Sequence, residues 1–112
     1  MTLEAGSIVL VPFPYTDLTA SKRRPVLLLT DSDDRGDFIA MALTSRPQSA
    51  HAVAIARGPL PRGGSLVADS WIRTDKVITL RQTLVAKVMG RVDETTRAHC
   101  VQQLCQTLNR MP

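Results

Sequence analysis

Short apolar segments separated by turn residues are the feature of this sequence that most constrains its fold. Runs of aliphatic and β-branched residues alternate with clusters of proline, glycine, serine and aspartate, and these turn signals recur roughly every ten to fifteen residues. Such spacing is typical of an all-β barrel or sandwich. Repeated βαβ units are disfavoured, because no helical pattern of about 12 residues lies between the segments.

Several segments have the composition of strands, and their limits follow from the flanking turn residues. Pro12 cannot donate a hydrogen bond in a central strand, so the first strand is predicted to fray or bulge at its end. Gly90 is predicted to break the last strand. The predicted strands are residues 8–13, 25–30, 37–44, 51–56, 65–69 and 84–92, with a polar loop at residues 15–24.

The period of the apolar residues changes after residue 92 and predicts one α-helix that runs through Asn109. Asp93 is suited to cap this helix, and Glu94 favours the positive end of its dipole. The apolar stripe is expected to cover the barrel or a dimer seam. It consists of Ala98, Val101, Leu104, Cys105 and Leu108.

The length and composition of the chain predict a single globular domain over residues 1–112. Hydrophobic residues make up 44% of the sequence and charged residues 21%, which are ordinary values for a folded domain. No apolar run approaches the roughly 20 residues that cross a bilayer, so no transmembrane helix is predicted. The N-terminus lacks the basic region of a signal peptide, and the expected location is therefore the cytoplasm.

The charge of the chain is basic and unevenly distributed. Fourteen lysine and arginine residues face ten aspartate and glutamate residues, and eleven of the fourteen are arginine. Residues 57–91 contain seven basic side chains and two acidic ones, whereas residues 31–37 are acidic. A basic surface favours a polyanion such as nucleic acid, or an acidic protein partner. Arginine in particular is suited to bidentate contacts with phosphate.

Several common chemistries have no motif in this sequence. It contains neither the Gly-x-Ser-x-Gly of serine hydrolases nor a phosphate-binding P-loop. His51 and His99 lie far apart and are interpreted as ordinary polar residues. Cys100 and Cys105 are five residues apart in a predicted helix, where they cannot form a disulfide, and they are interpreted as structural thiols. No metal site and no cofactor are predicted.

Two short motifs stand at strand ends. Arg23-Arg24-Pro25 opens the second predicted strand, and the proline favours extended geometry at Arg24. Leu43-Thr44-Ser45 closes the third strand. Taken separately, each motif is more typical of a solvated turn.

Together with residues 6–14 and with Gly90-Arg91-Val92, these motifs resemble the MazF/PemK family of toxins from bacterial toxin–antitoxin pairs. The resemblance runs in order from about residue 5 to residue 108. It implies a mainly β (α+β) fold, an SH3-like or plasmid-maintenance toxin barrel with a C-terminal α-helix. It also implies a homodimer, an acidic antitoxin partner, and metal-independent, sequence-selective cleavage of single-stranded RNA. By this resemblance, Arg24 and Thr44 are the catalytic residues.

The residue types suit that reaction. RNA is cleaved when its own 2′-hydroxyl attacks the adjacent phosphorus, so the enzyme has to orient the attack and stabilise the charge of the transition state. Arg24 is suited to bind two phosphate oxygens, and the Thr44 hydroxyl can donate a further hydrogen bond. An arginine stays protonated and is a poor general base. Arg24 is therefore assigned to charge stabilisation, with a role as acid toward the departing 5′-oxygen left open.

Further residues are assigned to RNA binding. Many relatives carry an amide side chain in the segment that corresponds to residues 68–74, and its absence here indicates a different base selection. A tryptophan in this segment is suited to stack an RNA base, although a place in the core or at a dimer interface fits it equally. The two basic residues that follow are suited to hold phosphates, or else form a solvated face. The predicted RNA-binding residues are Arg23, Ser45, Trp71, Arg73 and Lys76.

Two alternative functions remain open from the sequence. A gyrase-inhibiting toxin of the CcdB type has the same barrel and acts through its C-terminal end. A catalytically silent relative would bind RNA or an antitoxin without cleavage. The combination of Arg24-Pro25 with Thr44 argues against the gyrase inhibitor, because binding to gyrase requires neither motif.

Overall fold

Eight strands and one α-helix form the described part of the chain, residues 3–12 and 23–110 of a computed structural model. A short 3-10 turn, Gln82–Leu84, lies between the last two strands, and the helix α1 is Glu94–Arg110. The strands are β1 (Ser7–Pro12), β2 (Arg23–Leu28), β3 (Asp37–Thr44), β4 (Ala52–Ile55), β5 (Gly58–Pro59), β6 (Ser65–Leu66), β7 (Ser70–Arg81) and β8 (Lys87–Arg91). The predicted mainly β fold with a C-terminal helix is confirmed.

Six of these strands form one antiparallel sheet in the order β4-β7-β3-β2-β1-β8, and β5 pairs with β6 in a separate hairpin. Every strand lies antiparallel to its neighbours. The sheet has a buried cluster on each side because successive side chains of a strand point to opposite faces. The helix-side cluster includes Ile8, Leu27, Met41, Leu43, Leu60, Leu66, Ile72 and Cys100. The opposite cluster includes Val9, Val11, Val26, Leu28, Phe38, Ala40 and Leu80.

The strand limits agree with the sequence patterns to different degrees. The bounds of β3 are those predicted, and β2 begins two residues earlier than predicted. In β1 the register irregularity lies between Ile8 and Val9, on the side that faces β8. Pro12 is the last residue of a regular ladder with β2. The predicted end of this strand at residue 13 and most of the predicted polar loop at residues 15–24 lie outside the described residues. The predicted strands at residues 51–56, 65–69 and 84–92 are shorter in the structure.

The longest strand, β7, is absent from the predictions. Its pairing with β3 shifts by several residues, since Met41 lies opposite Val77 whereas Leu43 lies opposite Ile72. The four residues 73–76 therefore bulge opposite a single residue of β3. The bulge interrupts the alternation of apolar and polar residues by which a strand is recognised.

The β5–β6 hairpin crosses β8 at two glycines. Gly64 and Gly90 form a bridge, and Gly64 has a φ of +74°. A Cβ atom on Gly64 would lie 2.1 Å from the carbonyl oxygen of Met89. The predicted break at Gly90 is found as a shift in the ladder with β1, because Ile8 lies opposite Gly90 whereas Val9 lies opposite Val88. The strand itself continues through Gly90, and the missing side chain of this residue also permits the close crossing.

Helix α1 packs against β4 and β7 and begins as predicted. The Asp93 carboxylate accepts a hydrogen bond from the backbone N–H of Thr96 at 3.0 Å. The pKa of Asp93 is lowered by a hydrogen bond from the Thr96 side chain and by this backbone bond. The predicted apolar stripe is only partly correct, since Val101 and Leu104 pack against the core but Ala98, Cys105 and Leu108 are exposed. The buried face is instead centred on Cys100.

Polar residues complete the inner face of α1. The Thr74 hydroxyl hydrogen-bonds to Oε1 of Gln103 at 3.2 Å, and Thr107 lies 3.4 Å from Nδ1 of His51. Because these polar residues of α1 face the sheet, the buried face of the helix does not coincide with the apolar stripe predicted from the sequence. Within residues 3–12 and 23–110, α1 is too short and too polar to span a bilayer.

Candidate active site

Strand register places the two predicted catalytic residues side by side. Val26 of β2 lies opposite Ala42 of β3, and the same register continued by two residues along each strand puts Arg24 opposite Thr44. On its other side, Thr44 lies opposite Trp71 of β7. Cross-strand partners in an antiparallel sheet lie on the same face, so these three residues form one row across the sheet.

Hydrogen bonds fix the turn that follows Thr44. The backbone N–H of Arg46 donates to the Thr44 hydroxyl oxygen at 3.1 Å, and the side-chain amide of Gln48 donates to the Arg46 carbonyl at 3.1 Å. Because its oxygen accepts the Arg46 N–H, the Thr44 hydroxyl retains its own proton to donate. The half-buried position of Thr44 further restricts its side chain.

Arg24 and Thr44 line two adjacent cavities. The first has a volume of about 250 Å³ and is named the apolar cavity, because most of its lining is hydrophobic. Its other lining residues are Arg23, Pro25, Leu43, Ser45, Leu66, Val67, Ala68, Ser70 and Met89. The second has a volume of about 370 Å³ and is named the polar cavity. Its other lining residues are Arg46, Gln48, Arg73 and Lys76.

The predicted RNA-binding residues divide between these cavities. Arg23 and Ser45 line the apolar cavity and are exposed, whereas Arg73 and Lys76 line the polar cavity. Trp71 is half-buried and belongs to neither of these two linings in the described part of the chain.

The sequence analysis did not predict Arg46 and Gln48 as site residues, although both line the polar cavity. The only signal in the sequence is that an arginine, Arg46, directly follows the Leu43-Thr44-Ser45 motif. Their place in the polar cavity follows from the turn after β3.

Arg73 forms an ion pair at the edge of the polar cavity. Its Nε and one terminal nitrogen donate to the two carboxylate oxygens of Asp75, each at 2.9 Å. This bidentate contact lowers the pKa of Asp75. Part of the charge of Arg73 is therefore balanced within the protein.

The basic excess of residues 57–91 is not concentrated at the cavities. Arg91 forms an ion pair with Glu4, and Arg81 lies 3.9 Å from a carboxylate oxygen of Asp37. The positive charge of the site comes largely from arginines that lie outside residues 57–91. These are Arg23, Arg24 and Arg46.

The chemistry of the lining residues is cationic, hydroxyl, amide and apolar. None of the described residues lining either cavity carries a carboxylate or an imidazole. Within residues 3–12 and 23–110, no group of three or more histidine, cysteine, aspartate or glutamate side chains is close enough to hold a metal ion. The arrangement is suited to bind phosphate and to donate hydrogen bonds to it.

Comparison with known proteins decides the family. A sequence model of the PemK-like, MazF-like toxins of type II toxin–antitoxin systems matches residues 4–108. The chain belongs to this family. No curated protein shows significant sequence similarity to this MazF/PemK family member.

Solved structures show the same fold at low sequence identity. The Mycobacterium tuberculosis toxin MazF-mt6 superposes with a TM-score of 0.67 at 14% identity, over 92% of this chain and 96% of that one. A mycobacterial endoribonuclease in complex with its cognate antitoxin gives 0.68 at 18% identity, over 97% of both chains. A further mycobacterial endoribonuclease gives 0.65 at 20% identity, over 97% of this chain and 94% of that one. The predicted barrel-type fold of this toxin family is thus confirmed.

Proposed function

We propose that this MazF/PemK-family toxin is an endoribonuclease that cleaves single-stranded RNA, with Arg24 and Thr44 as its catalytic residues. The observation that carries the proposal is that Arg24 and Thr44 line the same two cavities, in agreement with the β2–β3 register when it is continued beyond Val26 and Ala42. Two of the proteins with the same fold are themselves named endoribonucleases. The family membership and the cationic lining support the same activity.

The reaction uses a nucleophile that the substrate supplies. The 2′-oxygen of one ribose forms a bond to the adjacent phosphorus while the bond between phosphorus and the 5′-oxygen breaks. The 2′-hydroxyl proton leaves to solvent, and the departing 5′-oxygen takes up a proton. The products are a 2′,3′-cyclic phosphate and a 5′-hydroxyl. Neither a metal nor a cofactor is required for this step.

The two catalytic residues stabilise the charge that develops on the phosphoryl oxygens. The guanidinium of Arg24 offers parallel N–H groups to two of these oxygens. The Thr44 hydroxyl donates a further hydrogen bond, and its orientation is set in advance by the Arg46 N–H. Donors fixed before the reaction contribute most to this type of catalysis, because they do not need to reorganise.

We assign substrate binding to the residues around this pair. Arg23 and Ser45 lie beside the scissile phosphate in the apolar cavity, and Arg73 and Lys76 contact the backbone from the polar cavity. Trp71 neighbours Thr44 across the ladder, where its ring is available to a base that reaches the sheet. Contacts to bases make the cleavage selective for sequence.

The toxin also has protein partners in this proposal. A cytoplasmic location is assigned because the RNA substrate is found there, and residues 1–112 act as one toxin domain in a homodimer. An acidic antitoxin would neutralise the arginines of the site and exclude RNA. Expression of the chain without its antitoxin is expected to arrest growth.

The decisive experiment is the chemistry of the cleaved ends. Purified protein is incubated with long single-stranded RNA in excess EDTA, and the fragments are analysed by mass spectrometry. We expect cyclic phosphate and 5′-hydroxyl ends, and no cleavage of single-stranded DNA of the same sequence. Fragments with a 3′-hydroxyl and a 5′-phosphate, or loss of cleavage on chelation, would overturn the mechanism. A folded protein that leaves RNA intact and inhibits gyrase would instead establish the gyrase-inhibitor alternative.

Variants then test the assignment of the site. Arg24→Ala is expected to abolish cleavage, and Arg24→Lys to restore only part of it, because lysine lacks the planar fork. Arg35→Ala is the matched control, since it removes the same charge from the turn at the other end of β3. Cleavage by folded Arg24→Ala at the wild-type rate would refute the assignment.

A further inference from the structure

The two cavities that meet at Arg24 and Thr44 differ in chemistry. The apolar cavity has hydrophobic walls from four separate segments of the chain. Every residue that lines the polar cavity carries a charge or a hydrogen-bonding group. An RNA strand presents the same two chemistries, an aromatic base and an anionic phosphate, at each nucleotide.

We propose that the cavities divide the recognition of RNA between them. The apolar cavity binds a base next to the cleaved bond through Val67, and the polar cavity binds a phosphate that neighbours the scissile one through Arg46. The inference rests on the proposed function, because the scissile phosphate is placed at Arg24 and Thr44. A strand that passes this shared wall extends from one cavity into the other.

The backbone of Arg46 is held in place by the side chains of Thr44 and Gln48. Its N–H donates to the Thr44 hydroxyl oxygen, and its carbonyl accepts from the Gln48 amide. The turn that positions Thr44 thus also positions the next cation along the chain. Arg73 is a weaker candidate for this phosphate, because its guanidinium already forms a bidentate pair with Asp75.

Val67 is displayed by a short loop that is anchored on both sides. Its side chain is 90% exposed, whereas the preceding Leu66 is buried in the helix-side cluster. After it, the Asp69 carboxylate accepts the Arg57 N–H at 2.9 Å, and the Ser70 hydroxyl donates to the Ala68 carbonyl at 3.0 Å. An exposed apolar side chain on an anchored loop, at the margin of a cationic site, is suited to contact the face of a base.

The phosphate contact is tested by the salt dependence of binding. Fluorescent single-stranded RNA, with deoxyribose at the mapped cut so that it is not cleaved, is titrated at several salt concentrations. Arg46→Ala is expected to bind about tenfold more weakly. Its plot of log affinity against log salt should be shallower by about 0.7, the value for one lost phosphate contact on a single strand. The control Arg35→Ala should keep the wild-type slope, and an unchanged slope in Arg46→Ala overturns the proposal.

A substrate modification locates the contacted phosphate. A methylphosphonate, which removes the charge of one phosphate, is placed in turn at each position around the cut. At one of the two phosphates next to the scissile phosphate, the methylphosphonate should weaken RNA binding by wild type about tenfold. The same modification should hardly change RNA binding by Arg46→Ala. Equal losses in the two proteins at both neighbouring positions would refute this placement of Arg46.

The base contact is tested with Val67→Thr, which keeps the shape of the side chain and replaces one methyl group with a hydroxyl. Its salt slope should equal that of wild type. An abasic nucleotide beside the cut should weaken wild-type binding severalfold more than binding by the variant. If the abasic site costs both proteins the same, Val67 has no base contact.

These measurements are separate from the test of the proposed function, because they record binding and not cleavage. If wild type cleaves RNA but Arg46→Ala keeps its salt slope, only the division between the cavities fails. If wild type does not cleave RNA at all, the proposed function fails. The binding titration is then carried out with unmodified RNA, because no cut has to be blocked. Weaker binding of a polyglutamate peptide by Arg46→Ala, with unchanged RNA binding, would assign the polar cavity to a protein carboxylate and overturn the proposal.

Discussion

Replacement of Gly64 by alanine is expected to separate the β5–β6 hairpin from β8. An added Cβ would lie 2.1 Å from the Met89 carbonyl oxygen and 2.4 Å from the Gly90 Cα, and both of these are backbone atoms that cannot rotate away. The neighbouring Gly63 offers a matched control. It also has a positive φ, at +112°, but a Cβ there would have no atom within 4 Å among the described residues.

The difference between the two variants isolates the clash. A side chain at positive φ costs about 1–2 kcal/mol, and both variants carry this penalty. Overpacking against the backbone adds about 1–3 kcal/mol for Gly64→Ala alone. We therefore expect the free energy of unfolding to fall by about 2–5 kcal/mol in Gly64→Ala and by about 1–2 kcal/mol in Gly63→Ala. For a chain of this length, the unfolding temperature decreases by about 4 °C for each kcal/mol.

Thermal unfolding followed by circular dichroism at one protein concentration measures both values. The reasoning is refuted if Gly63→Ala is destabilised as much as Gly64→Ala, since the contact with β8 would then contribute nothing. RNA cleavage gives a second readout. The hairpin contains Leu66 and is followed directly by Val67, and both residues line the apolar cavity, so Gly64→Ala should also reduce cleavage at temperatures where the protein is still folded.

Three further predictions concern single side chains. Thr44→Ala should lower the cleavage rate on the order of 100-fold, as expected when one transition-state donor is removed, and an unchanged rate would reduce Thr44 to a turn residue. The pKa of Asp93 is lowered in the folded state, so its stabilising effect is complete above the unfolded pKa and disappears as the pH falls below about 4. Denaturant titrations over this pH range should show a smaller loss of stability in Asp93→Asn than in wild type. Burial raises the pKa of the Cys100 thiol to about 11, whereas Cys105 is exposed. Ellman's reagent should therefore label one thiol in the native protein and two after unfolding, and Cys105→Ser should remove the native signal.

The sequence was sufficient where local chemistry decides the structure. Apolar residues bounded by turn residues predicted β3 with its observed limits, and the cap at Asp93 predicted the start of α1. The order of the motifs at Arg24 and Thr44 identified the family and the candidate catalytic pair. These features depend on short stretches of sequence that are each consistent with a single local conformation.

The remaining features depend on contacts between distant segments. The role of Gly90 is set by the hairpin that crosses it, about 26 residues earlier in the chain. The exposure of Cys105 and Leu108 follows from polar contacts of α1 with Thr74 and His51. Arg46 enters the site only because the turn after β3 folds back onto Thr44.

The bulge in β7 determines which residues surround the catalytic pair. Met41 lies opposite Val77, and the same register continued without a bulge would place Thr44 opposite Thr74. The observed partner of Thr44 is Trp71, three residues earlier. Because three is an odd number, the shift also moves Thr74 to the other face of the sheet, where it is buried against Gln103 of α1. A single irregularity thus brings the only tryptophan next to Thr44, fixes the helix to the sheet, and leaves the bulged residues 73–76 to supply cations to the polar cavity.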